Sequence, residues 1–358
     1  MMYLVRENLF IGNINAAAEV LLGNNVEITH ILSVLSSASI SFFSEWKSSF
    51  SVPTKEIRTV YFEGESSNDA DVSDKSKKIH YVLENAGKDL KLVRMGVPLR
   101  DMESENLLDS LEVCLEFIDE SRKQGSVLVH CFAGVSRSAA IITAYLMRTE
   151  QLSLEDALES LRQSNESVGP NDGFLEQLTM FEEMGFKVDH SSSLYKRFRL
   201  KVLGESYNRG EKIDSSKFAA DPGMTKKEAS IESGPASQKE EFIPTPAFRC
   251  KKCRRVVALQ DNVVTHVPGE GESSFEWHRR SNRSSYNNHD ELECTSIFVE
   301  PLRWMKTVEE GALEGKLWCM HCEGRLGYFN WSGIQCSCGS WITPAFQLHK
   351  SRVDISTV

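Results

Sequence analysis

Apolar positions in the first 190 residues follow two alternating rhythms. Ile28–Leu35 (ITHILSVL), Ile57–Phe62 (IRTVYF), Leu92–Leu99 and Val127–His130 (VLVH) are short apolar runs, rich in β-branched residues, and predict strands. Leu107, Leu108, Leu111, Cys114, Leu115 and Ile118 recur at helical spacing and predict a helix over 107–124. Ser138–Met147, Leu154–Arg162 and Phe174–Met184 read as further helices. Strands alternating with helices predict an α/β sheet with helices on its faces.

The rhythm then stops. Residues 206–241 scatter apolar positions among Ser, Lys, Glu and Gly with no period, which predicts a linker. Ser191–Ser193 reads as the start of that poorly ordered stretch. Ser66–Lys78 has the same composition and reads as a surface loop within the first domain. The resulting division is a domain over 1–190, a flexible linker over 191–244 and a second domain over 245–358.

Composition sharpens this division. The 358 residues match about two domains. A hydrophobic content of 41% is too high for a disordered chain. Ala139–Met147, the longest apolar stretch, falls short of the roughly 20 residues that span a bilayer. With no secretory signal visible, the expectation is a soluble chain in a reducing compartment, without a membrane partner. The net charge of −10 is unevenly spread: residues 245–358 hold 14 basic and 13 acidic residues, leaving 27 and 38 for the rest. The nine cysteines divide more sharply still. Cys114 and Cys131 are the two in the first 249 residues, and the other seven follow.

Cys114 lies on the apolar face of a predicted helix and reads as a core residue. Cys131 reads differently. His130-Cys-Phe-Ala-Gly-Val-Ser-Arg-Ser138 joins a buried strand to a helix, where backbone N–H groups form a nest backed by the positive helix end. Gly134 permits the tight bend and Arg137 can fork onto two phosphate oxygens. A thiol at the mouth of such a loop is stabilised as thiolate, which makes Cys131 a nucleophile.

HCFAGVSRS resembles the HCxxGxxR[ST] signature of the cysteine-dependent protein phosphatases, the dual-specificity group above all. The opening MMYLVRENLFIGNINAA and PNDGFLEQLTMFE at 170–182 extend that resemblance over about residues 1–190. It implies that Cys131 attacks phosphorus and forms a phosphocysteine, while Arg137 and the loop amides hold the oxygens. It further implies that His130 fixes the loop and that Ser138 assists breakdown of the intermediate. The general acid belongs on a loop about 30 residues upstream, where Asp101 stands; Glu103 and Glu105 are the nearby alternatives. Phe132, Ala133, Gly134, Val135 and Ser136 would line the substrate site, with Asn171 shaping the pocket. The loop holds no lysine, unlike relatives acting on inositol phospholipids, and a deep tyrosine-recognition loop is not apparent. The implied substrates are phosphoproteins, at phosphotyrosine and at phosphoserine or phosphothreonine. No cofactor is implied for catalysis.

In the last third, Cys250-x2-Cys253, Cys319-x2-Cys322 and Cys336-x-Cys338 are paired-ligand spacings, and Cys294 stands alone. Seven thiols need one more ligand to complete two tetrahedral Zn²⁺ sites, and His266 is the best candidate, ahead of His278, His289 and His321. Two pairings are open. In one, Cys250, Cys253, Cys319 and Cys322 meet, leaving His266, Cys294, Cys336 and Cys338. In the other, the sites fill in chain order. The first is preferred because paired knuckles are a common ribbon-like solution. Either way the sites are closed and structural, within a small mainly-β domain.

CTSIFVEPLRWM and GYFNWSGIQCSCGSWITPAFQLHKSRVD, together with the loop, resemble the zinc-containing dual-specificity phosphatase 12 family over nearly the whole chain apart from the linker. That resemblance implies a second role, in assembly of the large ribosomal subunit through the zinc domain, and with it a monomer in cytoplasm and nucleus. KKCRR at 251–255, RRSNR at 279–283 and the aromatics Trp304, Trp318, Phe329, Trp331 and Trp341 are compatible with RNA contact.

Overall fold

The computed structural model describes residues 1–23, 27–62, 79–211, 213, 218–223, 246–266 and 294–357. The expected loop over Ser66–Lys78, RRSNR, His278 and His289, and residues 212, 214–217 and 224–245, lie outside the described residues. The chain divides into two compact units, Met1–His190 and Ser191–Val358.

The first unit is one seven-stranded sheet with helices against it. Its strands are β1 (Met2–Arg6), β2 (Leu9–Gly12), β3 (Ile28–Leu35), β4 (Thr54–Tyr61), β5 (Ile79–Ala86), β6 (Leu92–Pro98) and β7 (Ser126–His130). They lie in the order β1-β2-β7-β3-β6-β5-β4. The middle four, β2, β7, β3 and β6, run parallel. Strands covered on both faces must be apolar throughout, and Val127, Leu128 and Val129 of β7 are fully buried. Each such side chain contributes about 1.5–3 kcal/mol of hydrophobic stabilisation.

The helices of this unit are α1 (Ile14–Leu21), α2 (Ser41–Trp46), α3 (Leu108–Gln124), α4 (Arg137–Glu150), α5 (Leu154–Ser164) and α6 (Asp172–Glu183). α4 is buried from Arg137 to Met147, as a helix apolar on all sides must be. The connection β7–α4 therefore places Cys131 at the carboxyl end of a central parallel strand, the usual position of ligand crevices in such sheets. Among the described residues, no helix is long and apolar enough to cross a membrane.

The second unit is mainly β. It holds β8 (Pro246–Cys250), β9 (Val256–Leu259), β10 (Ser296–Phe298), β11 (Glu314–Trp318), β12 (Arg325–Asn330), β13 (Ile334–Gln335), β14 (Trp341–Ile342), β15 (Ala345–His349) and β16 (Val353–Thr357). The sheets run β10-β15-β12-β11, β16-β8-β9 and β13-β14. Among the described residues, two α-helices accompany them, α7 (Ser193–Asn208) and the short α8 (Lys306–Glu309).

α7 corrects the linker drawn over 191–244. The serine run at 191–193 is a helix start: Ser192 Oγ accepts the Tyr195 N–H at 3.1 Å, an N-cap. Leu200 and Leu203 join the core of the second unit, and Tyr207 stacks on Trp331 with ring centroids 4.8 Å apart. Lys196, Arg197, Arg199 and Lys201 gave this segment its polar composition and masked its apolar face.

Candidate functional site

The loop after β7 is assembled by tying its carbonyls outward. Phe132 O accepts the Ile14 N–H at 3.1 Å and Val135 O accepts the Gly169 N–H at 2.9 Å. His130 Nδ1 bonds Cys131 O at 3.1 Å. A peptide unit is planar, so a C=O fixed outward turns the following N–H to the other side. The N–H groups of Phe132, Ala133 and Ser136 thereby face the concave side. Gly134 sits at φ +80°, and a Cβ there would stand 2.8 Å from Gly12 O, so only glycine closes the turn.

Cys131 Sγ accepts the Gly134 N–H at 3.2 Å and the Ser138 hydroxyl at 3.3 Å. Both bonds aim donors at the sulfur. Cys114, by contrast, is wholly buried among apolar side chains, and burial pushes its thiol up. Arg137 is nearly buried; its Nη1 donates to Leu99 O at 3.2 Å, and its Nε has no hydrogen-bond partner among the described residues. Asp101 Oδ2 lies 3.7 Å from that Nε.

Asp101 is itself held. Its Oδ1 accepts the Ser136 hydroxyl at 2.7 Å and the Asn171 amide at 2.9 Å. Asn171 also caps α6, its Oδ1 accepting the Phe174 N–H at 2.9 Å. Of the two alternatives, Glu105 is engaged with Arg100 at 2.7 Å. Asp101 is the carboxylate joined to the loop.

Burial above all pushes His130 down to about 3; its bond to Cys131 O opposes this, and the charges of Arg94 and Arg137 add to it. Its Nε2 meets Ser33 Oγ at 2.7 Å. Ser33 and its partner Arg94 were not candidates on sequence, since each reads as an ordinary polar position inside a strand run.

Among the described residues of the second unit the metal-type side chains form two groups. Cys250, Cys253, Cys319 and Cys322 form one; His266, Cys294, Cys336 and Cys338 form the other. Within each, the ligand atoms lie within 4.8 Å of one another. Cys250–Cys322 and Cys253–Cys319 are 3.7 and 3.5 Å apart between sulfurs. Thiolates about 2.3 Å from a tetrahedral ion stand about 3.8 Å apart, so the spacing fits a metal. This is the first of the two pairings. The strands decide it, because β8–β9 and β11–β12 each carry one knuckle at their turn. His321, inside a CxxC, is not part of either group.

The aromatics separate. Trp304, Phe329 and Trp331 are core residues, whereas Trp318 and Trp341 are 44% and 65% exposed. In KKCRR, Arg254 and Lys251 pair with Asp354, and Arg255 pairs with Asp221.

Comparison with known proteins agrees with the loop. The family profile of the dual specificity phosphatase catalytic domain matches residues 60–184. The chain is 41% identical to human dual specificity protein phosphatase 12 over 264 residues, 74% of each chain. It is 36% identical to the tyrosine-protein phosphatase YVH1 of Saccharomyces cerevisiae over 258 residues, 69% of each. A probable inactive dual specificity protein phosphatase-like protein of Arabidopsis thaliana is 51% identical over 133 residues, 37% of this chain and 90% of its own.

Proposed function

Because this chain belongs to the dual specificity protein phosphatase 12 family and is a protein phosphatase, we propose that Cys131, Arg137 and Asp101 carry its reaction in the following order. The observation that carries the reading is Cys131 Sγ as acceptor of two hydrogen bonds at the mouth of an amide nest, beside an Arg137 Nε–H without a hydrogen-bond partner among the described residues. The Cys131 thiolate attacks phosphorus and the bond to the ester oxygen breaks. Arg137 and the loop N–H groups stabilise the equatorial oxygens. Asp101 gives its proton to the leaving oxygen. With Oδ1 occupied by two donors, Oδ2 is the oxygen that carries it. Water then attacks the phosphocysteine, Asp101 takes its proton, and the S–P bond breaks to release phosphate. The Ser138 hydroxyl stabilises the departing thiolate.

The substrates in this reading are phosphoproteins bearing phosphotyrosine or phosphoserine/threonine. An exposed Phe132 beside the nucleophile and a lysine-free loop support it. The two ligand groups of the second unit would hold Zn²⁺, the ion that sulfur-rich tetrahedral donor sets favour, as structural sites outside the reaction. The test is hydrolysis of p-nitrophenyl phosphate and of phosphopeptides by the whole chain. Cys131→Ser should abolish it, Cys114→Ala should not, and acid quenching should trap phosphate on Cys131. An inactive wild-type chain, or an active Cys131→Ser, overturns the reading.

A second reading rests on exposed Trp318, Met320 and Trp341, apolar surface that suits a partner. The second unit would act in large-subunit assembly, in a monomer shared between cytoplasm and nucleus. Co-sedimentation with pre-ribosomal particles that is lost in Trp318→Ala/Trp341→Ala supports it. Unchanged co-sedimentation removes these residues from the role.

A further inference from the structure

A row of polar side chains crosses the sheet beneath the loop, and the reaction above makes no use of it. Glu84 (β5), Arg94 (β6), Ser33 (β3) and His130 (β7) stand on four adjacent strands. Glu84 is the cross-strand partner of Arg94, and Ser33 is flanked by Gly96 and His130. Arg94 and Gly96 are two residues apart, so they share a face. Arg94, Ser33 and His130 are fully buried, and Glu84 nearly so.

Every hydrogen in the row has a forced direction. A guanidinium only donates. Arg94 Nη1 donates to Glu84, Nη1 and Nη2 donate to Ala38 O, and Nε donates to Ser33 Oγ at 2.9 Å. His130 Nδ1 faces a carbonyl and therefore carries the ring proton. Nε2 of the neutral ring is then an acceptor, so Ser33, which takes the Arg94 Nε–H on one lone pair, sends its one hydrogen to it. The row is also built for: a Cβ on Gly96 would come within 3.0 Å of Arg94 Nη2 and 2.2 Å of Ala38 O. Phe43, fully buried, covers it, with its ring centroid 5.8 Å from both Arg94 Cζ and the His130 ring. A buried ion pair is seldom more stabilising than apolar residues of the same volume, so stability alone does not account for it.

We propose that Arg94 is a positioning residue for the nucleophile. By holding Ser33 Oγ against His130 Nε2 it supports the tautomer that donates from Nδ1 to Cys131 O, and through His130 it holds the Cys131–Phe132 peptide with its N–H turned into the loop. This rests on the reading of Cys131 as nucleophile for its kinetic consequence; the state of the imidazole does not depend on it.

The test uses the whole chain with ¹⁵N-labelled histidine, His130 being assigned among the nine histidines by its loss in His130→Asn. Wild type should show a protonated Nδ1 and a bare, hydrogen-bonded Nε2. Two variants cut the row: Ser33→Ala, and Glu84→Leu/Arg94→Met, which removes both charges together. In each, the Nε2 resonance should move and kcat/KM should fall about tenfold. Combining them should cost about twofold or less beyond either alone, because the path is already cut. Folded variants with wild-type resonances and wild-type kcat/KM overturn the proposal, as do losses that multiply. If the charge-pair replacement does not fold, Ser33→Ala alone decides by the same two readouts. A wild-type chain without phosphatase activity would instead refute the role of Cys131, leaving the imidazole result to stand or fall separately.

Discussion

Stripping metal from both cysteine groups should unfold the second unit and leave the first catalytically active. The magnitude follows from where the ligands sit. Cys250 and Cys319 are 2% and 1% exposed and belong to the same core as Phe248, Leu317, Trp331 and Phe346. A structural Zn²⁺ contributes about 10–16 kcal/mol of apparent binding energy, which is also folding energy. A domain's net stability is about 5–15 kcal/mol, so loss of one site is enough to remove it. The assay is helped by tryptophan placement: Trp46 alone lies in the first unit, and Trp277, Trp304, Trp318, Trp331 and Trp341 lie in the second. Trp304 and Trp331 are buried, so their emission should shift to longer wavelength as a strong chelator removes zinc, while p-nitrophenyl phosphate hydrolysis continues. Unchanged emission after verified metal release would refute a structural role for the two groups. Loss of hydrolysis together with the emission change would refute catalysis independent of the metal.

Four further outcomes are expected. Asp101→Asn should lower kcat on a phosphoserine peptide by about 100-fold or more, and far less on p-nitrophenyl phosphate, whose leaving group needs no proton; equal losses on both would remove Asp101 as the acid. Gly134→Ala should lower kcat/KM at least about tenfold, from left-handed strain of about 1–2 kcal/mol plus a clash with the Gly12 backbone. Gly23→Ala, at the same φ of +80° but with nothing within 4 Å, should cost stability and leave kcat/KM unchanged. His130 is held neutral down to about 3, below its unfolded value of about 6.5, so the unfolded chain binds the extra proton first. Its contribution is complete above pH about 6.5 and is lost at about 1.4 kcal/mol per pH unit as pH falls toward 3. The urea midpoint for loss of activity should therefore drop more steeply with acid in wild type than in His130→Asn, and parallel curves would contradict this.

The parts legible in the sequence were those with short-range spacing. Cys131, Gly134, Arg137 and Ser138 stand within eight residues, and a strand-to-helix turn brings them together whatever the rest does. Asp101, thirty residues upstream, was legible only through the family resemblance; the link that ties it to the loop, Ser136 Oγ to Oδ1, is a tertiary fact. The candidate metal ligands were legible as residue types. Their pairing depends on two knuckles 66 residues apart meeting, and spacing alone left it open. α7 was illegible for a different reason: its basic side chains are interleaved with its apolar ones, while the Ser191–Ser193 run carries a linker's composition and a helix cap's geometry. The aromatics misled in part, because Trp304 and Trp331 serve the core, as their neighbours Val257 and Phe346 show.

Arg94 presents the hardest case, and the reason is general. In LVRMGVP an arginine at an inward-facing strand position looks like a break in the apolar run, and the glycine two residues later looks like a weakness in the strand. Each is unfavourable alone. Together they are complementary, since the missing Cβ of Gly96 is the space that the Arg94 guanidinium needs to reach Ala38 O and Ser33. Glu84 completes the set from the next strand, at the position directly opposite Arg94. The detectable signal is therefore the coincidence of an inward charge, a same-face glycine and an opposite charge on a neighbouring strand. Strand order must be known before that coincidence can be seen, because β5, β6, β3 and β7 are adjacent in the sheet but not consecutive in the chain.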